Sequence, residues 1–120
     1  MSIQGLRKIT DSIASLPGVK GVMMVTREGL PLVSNIPRID EVEFSTMSAA
    51  LIGASQTITQ SLDMGDERPE FVFLRSNHTD LLFYLLGQVI IVVLASASVE
   101  TRLIIDKIKS VSDKILALIK

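Results

Sequence analysis

A chain of 120 residues is long enough for one compact domain and short for two. Its 12 basic and 13 acidic residues leave it near neutrality, which removes the general attraction to nucleic acid or anionic lipid that a basic domain has. It contains no cysteine, which rules out disulfides and thiolate metal sites and fits a reducing compartment. We expect one cytoplasmic domain, residues 1–120, that binds no nucleic acid.

The first third of the chain predicts a helix followed by a hairpin. Ile3–Leu16 carries apolar residues at steps of three and four, which is the helical period, and Pro17-Gly18 ends it. Val19–Thr26 is rich in β-branched residues and methionine, typical of a strand covered on both faces. Leu30–Ile36 is its predicted partner, and Pro31 favours a sheet edge because proline cannot donate to a ladder.

Arg27, Glu28 and Gly29 join these two strands. A three-residue connection that ends in glycine suits a type I turn closed by a left-handed residue. We therefore interpret this charged corner as a turn before any other role is considered.

A second helix is predicted from about Glu41 to Asp63. Asp40 and Glu43 have the spacing of a reciprocal N-terminal cap, and Gly65 suits the C-terminal end. One stripe of this helix is apolar, and we expect it to pack on the sheet. The stripe consists of Phe44, Met47, Leu51, Ala54, Ile58 and Leu62.

The rest of that helix has no ionisable side chain between residues 44 and 62. A solvent-facing helix of this length normally carries Lys and Glu, which favour helix and solubility. Small and uncharged polar residues instead allow another backbone to approach without the cost of desolvating an ion. This predicts a homodimer in which the two helices meet; the alternative is a monomer whose helix is merely rich in Ser and Thr.

The last part of the chain predicts three strands and a helix. Met64–Glu70 is expected to be a solvated acidic loop, followed by strands over Phe71–Arg75, Leu81–Leu86 and Val89–Ala95. Gly87-Gln88 interrupts the apolar run over residues 81–97, which favours a hairpin over direct membrane insertion. A final helix opens at Ser98, with one apolar face.

The resulting order is α-β-β-α-β-β-β-α. It predicts an α/β (α+β) sandwich, a five-stranded antiparallel sheet with helices on both faces. Since the central strands are apolar on both faces, the face that holds the single middle helix should remain partly bare.

Sites for chemistry are not apparent in this sequence. It contains neither of the glycine-rich phosphate-binding patterns, and His78, its one histidine, lies in a predicted turn. The carboxylates of Asp63, Asp66, Glu67 and Glu70 lack the ligand spacing of a calcium loop, although weak calcium binding is an alternative. We expect no cofactor, no metal and no catalytic residue.

Three segments in one consistent order resemble the Roadblock/dynein light chain family. They are LPGVKGVMMVTREGLPLVSN at Leu16–Asn35, FSTMSAALIGASQTI from Phe44 and VIIVVLA from Val89. The resemblance implies a profilin-like sandwich that dimerises through its third strand and middle helix. Members of the family serve as dynein-associated light chains, as scaffolds for Ras-like GTPases at membranes, or as regulators of a bacterial gliding-polarity GTPase.

The resemblance also assigns a surface and a function. It places the dimer and partner interface at Ser45, Ala49, Ile52, Gly53, Gln56 and Gln60 of the middle helix and at Phe71 and Phe73 of the third strand. Arg27 and Arg38 are exposed candidates for an arginine that assists GTP hydrolysis, although solubilising loop charges are the simpler interpretation.

The expected function is that of a non-catalytic homodimeric adaptor or regulator of a small Ras-like GTPase. The alternatives are a small-molecule-sensing domain, which would need a concave site with a few polar groups, and an oligomeric scaffold without a GTPase.

Overall fold

A computed structural model describes residues 2–62, 64 and 69–119 of the chain. Its elements in chain order are α1 (Ile3–Ala14), β1 (Val19–Thr26), β2 (Pro31–Ser34), α2 (Glu41–Ser61), β3 (Phe71–Ser76), β4 (Thr79–Leu86), β5 (Val89–Ser96) and α3 (Thr101–Leu118). The predicted order and fold class are confirmed. The strands form one antiparallel sheet in the order β2-β1-β5-β4-β3, so β2 and β3 are its edges.

The central strands are buried on both faces, as their continuous apolar sequence predicts. Alternate side chains of β1 point in opposite directions: Val22 and Met24 face α1 and α3, while Met23 and Val25 face α2. Among the described residues, two helices therefore cover one face of the sheet, and α2 is the single helix on the other. The core under α2 consists of Met23, Val25, Ile52, Phe83, Ile90 and Val92.

Several element boundaries differ from the prediction. Helix α1 ends at Ala14, two residues before Leu16, and β2 is shorter at both ends than Leu30–Ile36. Helix α3 begins at Thr101 and not at Ser98, because Ser98 lies in a turn closed by the Val99 amide, which donates to the Ser96 carbonyl at 3.1 Å.

The end of α2 also differs from the prediction. The helix ends at Ser61 with Leu62 as its C-cap, while Asp63 and Gly65, the predicted end and cap, lie outside the described residues. The same holds for most of the predicted acidic loop, of which the described residues include Glu70; its carboxylate contacts Lys109 Nζ at 3.3 Å.

Strands β4 and β5 form the predicted hairpin, with Gly87 in the left-handed conformation at φ 58°. Across the described ranges, no helix has the length and apolar content needed to cross a membrane.

Candidate partner-binding surface

Helix α2 rests on the sheet through its small polar side. Ser45, Ser48 and Ile52 are its buried residues, with exposed fractions of 0%, 2% and 2%. The Ser45 hydroxyl donates to the Glu41 carbonyl at 2.6 Å, and the Ser48 hydroxyl donates to the Phe44 carbonyl at 2.8 Å. Because the helix's own carbonyls satisfy these hydroxyls, the serines can be buried without an unpaired polar group.

The prediction that the whole apolar stripe of α2 packs on the sheet is wrong for four of its six members, which are exposed; they are Met47, Ala54, Ile58 and Leu62. Met47, Ile58 and Leu62 are 54%, 57% and 68% exposed. The physical reason lies in the sheet below, whose α2 face is already filled by large side chains such as Phe83 and Ile90. Small residues let a helix approach such a surface closely, and Ser45 and Ser48 supply them beside Ile52.

Two members of the stripe contact the sheet core and show on which side of α2 the stripe lies. The Phe44 ring stacks with Phe83 of β4, with centroids 6.5 Å apart, and Leu51 packs against the same core. The stripe therefore lies on the side of α2 nearest β4 and β3. The opposite side of the helix lies against β1 and β2.

Strand β3 continues this apolar surface at the edge of the sheet. Val72 pairs with Phe83 and Leu74 with Leu81, which places Val72 and Leu74 on the α2 face. Helix α2 packs on β1, β2 and β4, and Leu74 is 45% exposed. We call this surface the α2–β3 trough. It consists of Met47, Leu51, Ile58, Leu62, Val72 and Leu74.

The other side of α2 meets the tip of the β1–β2 hairpin. Gly29 has φ 95°, as the predicted turn requires, and a methyl group there would lie 3.4 Å from Thr46 Cα and 3.5 Å from Ala49 Cβ. Arg27 Nη2 donates to Gln56 Oε1 at 2.9 Å, and the Arg27 amide donates to the Gln88 carbonyl at 3.0 Å. The hairpin tip therefore contacts α2 through a hydrogen bond of Arg27 and the close packing of Gly29.

We call this side of the helix the hairpin flank; it comprises Thr46, Ala49, Gly53, Gln56 and Gln60. Gly53 is exposed, and a methyl group added to it would meet no atom within 4 Å. Leu30, at the hairpin tip nearby, is 63% exposed. Nothing within the described part of the chain explains a glycine in the middle of this helix, where it costs stability relative to alanine.

The structure divides the predicted interface residues among three places. Ser45 and Ile52 lie beneath α2 and are removed from the candidate surface by burial. Ala49, Gly53, Gln56 and Gln60 lie on the hairpin flank. Phe71 and Phe73 point to the opposite face of the sheet, because they pair with Tyr84 and Leu82 of the core under α1 and α3.

Sequence reasoning missed the exposed members of the trough. Met47, Ile58, Leu62 and Leu74 stand in the sequence as apolar residues, but their hydropathy is also the signal for a core position. The serines on the buried side of α2 could have distinguished an exposed stripe from a core stripe, since small residues mark the side of a helix that approaches the sheet most closely.

The two candidate arginines have different surroundings. Arg27 is half-buried and engaged with Gln56, whereas Arg38 is exposed in the loop before α2 with a left-handed φ of 60°. The structure therefore presents Arg38 to solvent and holds Arg27 against the protein.

A charged pair joins the edge strand β3 to β4 on the sheet face opposite the trough. Arg75 donates to both carboxylate oxygens of Asp80, at 2.7 and 3.0 Å, and its guanidinium lies 5.3 Å from the centre of the Phe73 ring. These hydrogen bonds lower the pKa of Asp80 below its ordinary value, although burial opposes them. Charge on an edge strand disfavours unregulated strand pairing.

No group of three His, Cys, Asp or Glu side chains in the described ranges is arranged to hold a metal ion. The surface described above is apolar and uncharged, which suits contact with another protein more than chemistry on a small molecule.

Five antiparallel strands with two helices on one face and one on the other define a profilin-like α+β sandwich. Residues 6–95 match the family model described as the Roadblock/LC7 domain, and the chain belongs to this family. The uncharacterised proteins MJ0310 and MJ0714 of Methanocaldococcus jannaschii are 32% and 33% identical to it over 84% of this chain, which is 88% and 85% of their own lengths.

Solved structures share the fold at low sequence identity. MglB of Myxococcus xanthus superposes with a TM-score of 0.87 at 18% identity, covering 98% of this chain and 90% of that one. The gliding protein MglB of Thermus thermophilus has a TM-score of 0.78 at 15% identity, covering 92% and 84%. A profilin of Schizosaccharomyces pombe has a TM-score of 0.67 at 8% identity, covering 91% and 94%.

Proposed function

We propose that this chain is a homodimeric, non-catalytic adaptor that regulates or positions a small Ras-like GTPase. The observation that carries the proposal is the α2–β3 trough, where large apolar side chains face outward while the serines of the same helix face inward. A monomer gains nothing from this arrangement. Family membership and the uncharged helix support the same conclusion, as does the exposed edge of β3.

In the proposed dimer, α2 of a second copy lies in the trough beside the first α2. The partner helix would cover Met47, Ile58 and Leu62, and the edge of β3 would meet its counterpart across the two-fold axis. A two-fold axis requires that the same surface patch of each copy form the contact, and the trough with its α2 helix would be that patch in both copies. Leu74, on the α2 face of β3, would then be covered where the two copies meet.

The hairpin flank remains open in this dimer, and we assign the GTPase to it. It offers the small, uncharged surface of Ala49, Gly53 and Gln60, together with exposed Leu30. Arg27 is not the proposed catalytic arginine, since its guanidinium is engaged with Gln56. Its side chain supplies one hydrogen bond between the hairpin tip and α2, which also meet where Gly29 approaches Thr46 and Ala49, so the surface does not depend on Arg27 alone.

The experiment is capture of a GTPase from extract of the source organism on the immobilised chain, with the extract loaded with either a non-hydrolysable GTP analogue or GDP. Recovery of one small GTPase in the GTP-loaded sample alone supports regulation. A Gly53→Arg variant should lose this recovery because its side chain blocks the flank, while an Arg102→Gln variant, altered on α3, should retain it. Recovery that does not depend on nucleotide would favour a plain scaffold.

Other parts of the proposal rest on family membership and composition. The chain acts as one Roadblock-type domain over residues 1–120, works in the cytoplasm and uses no cofactor. Its effect on a GTPase would come from ordering the partner's own loops, which needs no catalytic group on this chain.

A further inference from the structure

Helices α1 and α3 pack side by side on the sheet face opposite α2, and we call the surface along their line of contact the furrow. The two helices run in opposite directions. The start of α1 meets the end of α3, where the Ser2 amide donates to the Leu118 carbonyl at 3.3 Å. The end of α1 meets the start of α3, where Leu16 and Leu103 line one cavity. Near the start of α1 the furrow opens into a cavity of about 450 Å³. Its lining consists of Gly5, Lys8, Ile9, Lys114, Ala117 and Leu118.

The floor of this cavity is apolar. Ile9 is 8% exposed and belongs to the core, and Leu118 packs against the same core. A methyl group on Gly5 would lie 2.9 Å from a Leu118 methyl carbon, so the glycine lets the two helices approach closely there. The result is a shallow apolar concavity that reaches the surface.

The rim of the cavity is positively charged. Lys8 and Lys114 stand on opposite helices, both exposed, and within the described ranges neither takes part in an ion pair. Lys107 lies on the same stripe of α3, two helical turns before Lys114. Lysine stems can cover apolar surface while their ammonium groups remain free to meet an anion.

The nearby carboxylates contact other residues or line another cavity. Asp11 of α1 accepts a hydrogen bond from Asn35 Nδ2 at 3.4 Å, and Asp106 of α3 lies 3.9 Å from Arg102 Nε. Asp113 lines a different cavity, beside Gly87 and Gln88. The positive charge over this apolar floor is therefore not neutralised by the lining of the cavity.

The other end of the furrow has a second apolar concavity, of about 350 Å³. Its lining includes Leu16, Val99 and Leu103, and Leu103 is 54% exposed. Glu100 also borders it, so the furrow is positive at one end and carries a carboxylate at the other.

We propose that this furrow binds an acidic amphipathic helix of a partner protein. Its apolar side chains would occupy the two concavities, and two carboxylates would pair with Lys8 and Lys114. The furrow follows the 12 residues of α1, so about three turns of the bound helix would contact it. The furrow lies on the sheet face away from the trough and the hairpin flank, so this binding site is independent of dimerisation and of the GTPase.

The test uses a synthetic helical peptide of about 16 residues, with leucines on one face and glutamates at its flanks. A matched peptide carries lysine in place of every glutamate. Titration into the ¹⁵N-labelled chain should give saturable shifts at the amides of Gly5, Lys8 and Ala117 with the acidic peptide alone. The Lys8→Gln/Lys114→Gln double variant should bind it about tenfold more weakly at low salt, while Lys20→Gln on β1 should bind as the parent does.

Three results would overturn the proposal: equal binding of the acidic and basic peptides, shifts confined to another surface, and absence of binding of the acidic peptide. In the last case, Lys8- and Lys114-dependent sedimentation on vesicles of phosphatidylserine and phosphatidylcholine would assign the rim to a lipid surface. Circular dichroism of the double variant checks that the helices remain folded.

Discussion

The orientation of α2 makes a quantitative prediction about two isoleucines of the same helix. Ile52 is 2% exposed and packs among Met23, Val25 and Phe83, whereas Ile58 is 57% exposed. Truncating a buried isoleucine to alanine costs about 2–5 kcal/mol, and we expect about 3 kcal/mol for Ile52→Ala. Ile58 has little apolar area to lose within one chain, so Ile58→Ala should cost less than about 1 kcal/mol in the monomer.

The assay is urea unfolding followed by circular dichroism, with thermal melting as a second measure. A loss of about 3 kcal/mol lowers the melting temperature of a chain of this size by about 10–15 °C. Both variants are compared over a range of protein concentrations, because dissociation of a dimer makes stability depend on concentration. If Ile58→Ala is the more damaging change at the lowest concentrations, where the monomer prevails, then the assigned orientation of α2 is wrong.

Three further predictions concern single side chains. Gly53→Ala should raise the free energy of unfolding of the monomer by about 1 kcal/mol in urea titrations, since the methyl group meets only solvent; a loss of stability would show that the flank is crowded. Replacing Arg27 or Arg38 by Ala should leave stimulated GTP hydrolysis by the cognate GTPase nearly intact, and a loss of a hundredfold or more would identify a catalytic arginine. Because Arg75 lowers the pKa of Asp80, that carboxylate stabilises the fold at pH values above its ordinary pKa, and the contribution is lost as the pH falls through the lowered value. Asp80→Asn should therefore flatten the dependence of stability on pH below the ordinary pKa of aspartate, and an unchanged slope there would show that the pair contributes nothing.

Much of the fold was predictable because its signals are local. Strand β1 has the predicted bounds, Val19–Thr26, since a run of β-branched residues between glycine-bearing turns has few other conformations. The Gly29 turn follows from the need for a left-handed residue in a three-residue connection. One half of the reciprocal cap predicted at Asp40 is confirmed, since the Glu43 amide donates to the Asp40 carboxylate at 3.1 Å.

The rotation of α2 about its axis was not predictable from the helix alone. Its apolar residues form a stripe that would suit a core, and nothing within the segment reveals that the sheet beneath is already filled by Phe83 and Ile90. Packing between distant segments decides which side turns inward, and here the buried side carries Ser45 and Ser48. The absence of charge did indicate an unusual outer surface, although it did not indicate which residues compose it.

The self-association of the chain through the α2–β3 trough is tested most directly by its mass in solution. Light scattering at micromolar concentration should give twice the 13.1 kDa mass of the chain. Ile58→Glu, which places a charge in the trough, should give the monomer mass, while Gln60→Glu on the hairpin flank should remain dimeric. A parent chain that is monomeric at micromolar concentration, or a Gln60→Glu variant that dissociates while Ile58→Glu does not, would contradict the proposed dimer.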